Sequence, residues 1–114
     1  MACPPKAESY TQISVLGEIV DIRWLPEDLM AGNYGLCNTE QRQIHLKATQ
    51  TGIQCLDTFI HELTHYISDR CNLELTEHQV HLLGMAWAQI YQANPELLGF
   101  IAERTTEEDE RRNL

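Results

Sequence analysis

The apolar residues change period close to residue 51, and that change limits the fold more than any other feature of the chain. Upstream, Tyr10-Thr11-Gln12-Ile13-Ser14-Val15-Leu16 and Glu18-Ile19-Val20-Asp21-Ile22-Arg23-Trp24 carry β-branched residues in partial alternation and are divided by Gly17, so two strands are expected. Pro26 to Ala31 reads as a helical turn, and Gly32-Asn33-Tyr34-Gly35 as a break before a short strand at Leu36-Cys37. In Gln43-Ile44-His45-Leu46-Lys47, Ile44 and Leu46 share one face and His45 and Lys47 the other, the pattern of a half-buried or edge strand. Downstream, Leu56, Phe59, Ile60, Leu63 and Ile67 recur at three- and four-residue steps, which predicts an amphipathic helix ending near Asn72. A second helix opens at Thr76-Glu77-His78-Gln79, the spacing of a capping box, with Val80, Leu83, Trp87 and Ile90 or Tyr91 as its buried stripe. Asn94-Pro95 stops that helix and starts a third, from Glu96 to about Arg104. A chain of 114 residues holds one core. The expectation is therefore a single α+β domain over 1–114, with a small, mostly N-terminal sheet packed on the first helix, two further helices, and frayed ends at 1–7 and 105–114.

Charge narrows the choice of partners. Seventeen acidic residues against eight basic ones give a net charge of -9, which repels nucleic-acid backbones and anionic membranes, so neither is expected as a partner. Part of the excess lies in Thr106-Glu107-Glu108-Asp109-Glu110-Arg111-Arg112, read as a solvated end. No stretch approaches the ~20 apolar residues of a membrane span, and Met1-Ala2-Cys3-Pro4-Pro5-Lys6 lacks the apolar core of a signal peptide, so a cytoplasmic location is expected. Cys3, Cys37, Cys55 and Cys71 contain no C-x-x-C pair, which argues for free thiols rather than a thiolate zinc site or a dithiol redox centre.

The first predicted helix carries His61-Glu62-Leu63-Thr64-His65. Histidines four apart project from one helical face and can direct two imidazole nitrogens to one ion at about 2.0–2.1 Å. Glu62 can lie beside such an ion, where its carboxylate takes a proton from a water that zinc acidifies towards pH ~7. A shuffled chain of this composition shows the pattern in about 2% of cases, so the string gains its weight from its place on a core-packed helix. A catalytic zinc needs a third protein ligand and an open position. Downstream candidates are Glu77, His78 and His81, with Asp69, Cys71 and Glu74 weaker. Helical phase sets Glu77 beside the inward face, His81 further round and His78 outward. Glu77 also suits a plain first-turn role beside the positive helix N-terminus, so the third ligand stays open between Glu77 and His81.

The stretch Ile60-His61-Glu62-Leu63-Thr64-His65-Tyr66-Ile67, followed by Leu75-Thr76-Glu77-His78-Gln79-Val80-His81-Leu82-Leu83 and Asn94-Pro95-Glu96-Leu97, resembles the small H-E-x-x-H proteins of bacteriophages and prophages. These in turn are similar to the minimal zincin metallopeptidases of the ImmA/IrrE type. The resemblance covers roughly residues 42 to 100. It implies a zincin-like fold, Zn²⁺ held by His61, His65 and Glu77 through the pattern Glu77-x-x-Val80, and peptide-bond hydrolysis with Glu62 as general base. It also implies a protein or peptide substrate paired along the 43–47 strand, and the host cytoplasm if the chain is phage-encoded. Two departures stand out: only eleven residues separate His65 from Glu77, and no H-x-x-G-x-x-H extension follows His65. The oxyanion stabiliser stays open, with Tyr66, Tyr91 and His45 each readable as a cleft group or as packing. Two other readings remain: a non-catalytic acidic interaction protein with a structural or vestigial zinc site, and a zinc hydrolase acting on a non-peptide amide.

Overall fold

A two-residue turn sets the first hairpin: Leu16 and Gly17 take φ values of 52° and 82°, the left-handed pair that matches strand twist, and turn β1 (Gln12–Val15) into β2 (Glu18–Leu25). The computed structural model describes residues 11–50 and 52–112, with side chains as far as Arg104. The N-terminal end expected to fray, 1–7, lies outside the described residues. A 3-10 turn at Glu27–Leu29 follows β2, and then come β3 (Gly35–Asn38) and β4 (Gln43–Lys47). The sheet order is β1-β2-β4-β3. β4 runs parallel to β2, with Ile22 opposite Ile44, and antiparallel to β3, with Cys37 opposite Ile44.

This order corrects the expectation for residues 43–47. β4 is an interior strand whose hydrogen-bonding groups face β2 on one side and β3 on the other, so no extended substrate can pair along it. Its alternation fitted an edge strand equally well because period alone reports the buried face and not the neighbours. The edge next to it is β3, and the far edge is β1.

Alternation sends Val20, Ile22, Ile44 and Leu46 to one face, where they meet Tyr66, Phe59, Leu63 and Ile67 of helix α1 (Gly52–Cys71). Val20, Ile44 and Leu46 are fully buried, and each such side chain contributes roughly 1.5–3 kcal/mol. Tyr66 is fully buried as well, and its hydroxyl donates to Glu18 Oε1 at 3.0 Å, an oxygen that also receives Arg70 Nε at 2.8 Å. α1 ends in a Schellman arrangement: Asn72 takes φ 53°, its N–H points to the Asp69 carbonyl at 3.4 Å, and Leu73 N–H donates to the Ser68 carbonyl at 3.0 Å.

Helix α2 (Glu77–Ala93) begins at the expected capping box: Gln79 N–H donates to Thr76 Oγ1 at 3.1 Å, and Thr76 N–H donates to Gln79 Oε1 at 2.9 Å. Of the expected stripe only Val80 is fully buried. Val80, Gly84 and Ala88 meet α1, whereas Leu83, Trp87 and Ile90 are 40–45% exposed and Tyr91 is half-buried, stacked on Trp87. The two helices approach too closely for large side chains, since a Cβ on Gly84 would lie 3.4 Å from the His61 Cα. Helix α3 (Leu97–Arg112) follows Asn94-Pro95 and runs on through the segment expected to fray from 105 onward. Glu and Arg, strong helix formers, continue it to residue 112. Residues 113–114 lie outside the described set. Among the described residues no helix is long and apolar enough to cross a membrane.

Candidate metal centre

His61 and His65 stand one turn apart on α1, and Glu77 comes to them from the first turn of α2. The His61 Nε2 lies 2.8 Å from Glu77 Oε1, and the His65 Nε2 lies 2.9 Å from Glu77 Oε2. The ligand atoms of the three residues all fall within 4.8 Å of one another, so side-chain shifts of about 1 Å bring them to the ~3.3–3.6 Å that separates ligand atoms around a tetrahedral ion with bonds of ~2.0–2.2 Å. The eleven-residue connection suffices because the chain reverses abruptly: Asn72 and Glu74 both take left-handed φ values, 53° and 55°, and Leu75 N–H is held by Ser68 Oγ at 3.2 Å.

The other candidates are placed elsewhere. His81, one turn beyond Glu77, lines the same cleft, but its ring centre is 6.4 Å from that of His61 and it is outside the three-residue cluster. Asp69 accepts a hydrogen bond from Thr39 Oγ1 at 2.6 Å, and Cys71, Glu74 and His78 are exposed outside the cluster. Tyr66 is committed to Glu18, Tyr91 to Trp87, and His45 Nε2 to Gln43 Oε1 at 3.0 Å. None of these three lines the cleft.

Glu62 is 8% exposed and forms part of the cleft wall. Burial raises its carboxyl pKa above the usual carboxylate range; the two imidazoles oppose that rise and Glu77 adds to it. The cleft has a volume of about 460 Å³ and opens between α1, α2 and the start of β3.

Gly35 is the site residue that sequence reasoning missed. A Cβ there would lie 2.6 Å from Thr58 Cγ2, 2.9 Å from Glu62 Cγ and 3.0 Å from Glu62 Oε2, so only glycine lets the strand rest on Glu62. The signal is the glycine at the threshold of a strand, which by sequence alone reads as punctuation. A buried amide fixes the approach: Gln50 Nε2 donates to the Tyr34 carbonyl at 3.2 Å and the Lys47 carbonyl at 2.8 Å, while Gln50 Oε1 accepts from Thr58 Oγ1 at 2.7 Å. Thr58 stands one turn before Glu62, so the loop leading into β3 is tied to the helix that carries the motif. Gly35 and Leu36 of β3 line the cleft, and the strand's outer edge has no partner strand among the described residues.

Two imidazoles and one carboxylate form the donor set of hydrolytic zinc sites, and here they meet beside an open cleft next to a buried carboxyl. The residues present therefore fit a zinc ion. No protein-family model matches the chain, and no curated protein or solved structure matches it either.

Proposed function

We propose that the chain is a zinc-dependent peptidase of the minimal zincin type, in keeping with the phage H-E-x-x-H proteins its motif resembles. The observation that carries this reading is the convergence of His61, His65 and Glu77 beside Glu62 at a cleft edged by a strand that has no outer partner among the described residues. When bound, zinc supplies a water acidified to near neutrality and polarises a carbonyl. His61 and His65 of α1 and Glu77 of α2 would hold the ion beside the cleft. Glu62 accepts the proton of the attacking water and passes it to the departing amine, a task suited to a carboxyl whose proton affinity burial has raised. His81, on the cleft wall, is the candidate donor to the carbonyl oxygen as it gains charge. An extended peptide segment is held along the outer edge of β3, residues 35–38, rather than along 43–47.

A structural zinc is the second reading, favoured by the way the three residues bridge α1 and α2. Zinc content of protein purified without a histidine tag, combined with cleavage of a random peptide library, tests both. One zinc per chain is expected, lost in Glu77→Ala and kept in His81→Ala, with Glu62→Gln keeping zinc and losing cleavage. Wild-type protein that takes up no zinc when supplied with it refutes both readings. Zinc bound without cleavage, together with a steep fall in melting temperature on chelation, leaves the structural one.

A further inference from the structure

Among the described residues no element packs against the face of α2 turned away from the cleft. Leu82, Leu83, Trp87 and Ile90 are 40–50% exposed, and Leu98 and Phe100 of α3, at 62% and 54%, extend the apolar run beyond Pro95. At ~100° per residue, Leu82, Ile90, Leu83 and Trp87 fall on one broad flank of α2, with Ala86 among them, and the flank lies beside the Val80-Gly84-Ala88 face that meets α1. α3 shares no packed interface with another described element. A 16-residue helix in that position is marginal in water without tertiary packing.

We propose that this face is where a second copy of the chain binds, α2 against its symmetry mate, with the first turn of α3 extending the contact. Two properties select this occupant. The first is charge. From His78 to Pro95 there is no Asp, Glu, Lys or Arg, the longest such run in the chain. Two molecules that each carry a net charge of -9 repel one another least over such a face, whereas a basic partner would be drawn to the acidic surface elsewhere. The second is area. Six large apolar side chains, each exposing on the order of 100 Å², supply roughly 600 Å² per copy, enough for the apolar part of the ~800 Å² that each partner buries in a stable interface. A two-fold arrangement closes on itself, because the same stripe serves both copies. Glu77 and His81 point to the cleft from another flank of α2, so both clefts stay open in the pair.

Sedimentation velocity of the full chain between about 1 and 100 µM tests the proposal, a range that spans the affinities of ordinary homodimers. Wild type is expected to sediment as a dimer of the 13.1 kDa chain. Leu83→Glu/Ile90→Glu is expected to be monomeric with an unchanged circular dichroism spectrum, and Met85→Glu, on the opposite flank, to remain dimeric. Should the double variant fail to fold, Trp87 fluorescence decides: in Trp24→Phe protein the emission is expected to move to the blue as concentration rises. A wild-type monomer at the highest concentration overturns the proposal. So does a dimer indifferent to the double substitution, one lost equally in Met85→Glu, or Trp87 emission independent of concentration.

Discussion

Replacing Gly35 by alanine tests whether the approach of β3 to Glu62 is as tight as the geometry requires. The new Cβ would lie 2.6 Å from Thr58 Cγ2, about 1 Å inside the ~3.5–4.0 Å at which carbon atoms rest. Thr58 cannot rotate away without cost, because its hydroxyl donates at 2.7 Å to the buried Gln50, whose amide nitrogen is committed to two carbonyls. The strand must therefore move outward by something near 1 Å. Overpacking on this scale costs roughly 1–3 kcal/mol. In a domain of this size that is a fall in melting temperature of about 4–12 °C. Any zinc content should not change, since the atoms a Cβ at 35 would crowd belong to Thr58 and Glu62 and not to the three candidate ligands, whereas any cleavage should drop about 100-fold with Glu62 and the proposed bound segment out of register. The assay is urea denaturation of a cycle with Thr58→Ser, which removes the offending methyl and keeps the hydroxyl bond to Gln50. The serine should recover about 1 kcal/mol or more of the alanine's cost, and incompletely, because the 2.9 Å approach to Glu62 Cγ remains. Gly35→Ala within ~0.5 kcal/mol of wild type, or two substitutions whose costs simply add, would refute the reasoning.

Two further outcomes follow from groups outside the cleft. Burial and, to a smaller degree, the nearby Arg23 lower the pKa of His45 below its ordinary 6.5. The unfolded chain thus binds this proton first, and the stability His45 contributes is present above pH 6.5 and lost as the pH falls through the interval down to the folded value. His45→Gln should flatten the decline of the urea midpoint across that interval, and midpoints that run parallel in the two proteins would count against it. Among the three described thiols, exposed Cys71 should be alkylated first by iodoacetamide, ahead of buried Cys55 and of Cys37, where burial raises the thiol pKa and leaves less thiolate. Peptide mapping that finds Cys37 modified first would show this ordering to be wrong.

What the chain made legible, and what it concealed, divides along the range of the interactions involved. The strand pair around Leu16-Gly17, the helix that ends at Asn72 and the capping box at Thr76 rest on contacts within a few residues, and each stands close to where the residue pattern puts it. The order of the strands does not. Nothing in Gln43 to Lys47 records that a four-residue strand, Gly35–Asn38, will take one of its sides.

The stripe on α2 shows the same limit in a more instructive form. Helical phase placed Leu83, Trp87 and Ile90 inward because the widest apolar face of a helix is usually the buried one. The face that meets α1 is instead the small-residue row Val80, Gly84 and Ala88, and the reason lies in the candidate site. Glu77 can reach His61 and His65 only if α2 begins against α1, and a helix that close admits no large side chain one turn on from His81's level: the Cβ of a residue at 84 would already stand 3.3 Å from Asp57 Oδ1 and 3.4 Å from the His61 Cα. The geometry that brings a carboxylate to two imidazoles thereby turns the leucine, tryptophan and isoleucine outward. One helix thus presents the face that bears Glu77, with its row of small residues, to its own chain and an uncharged face of large ones to the outside.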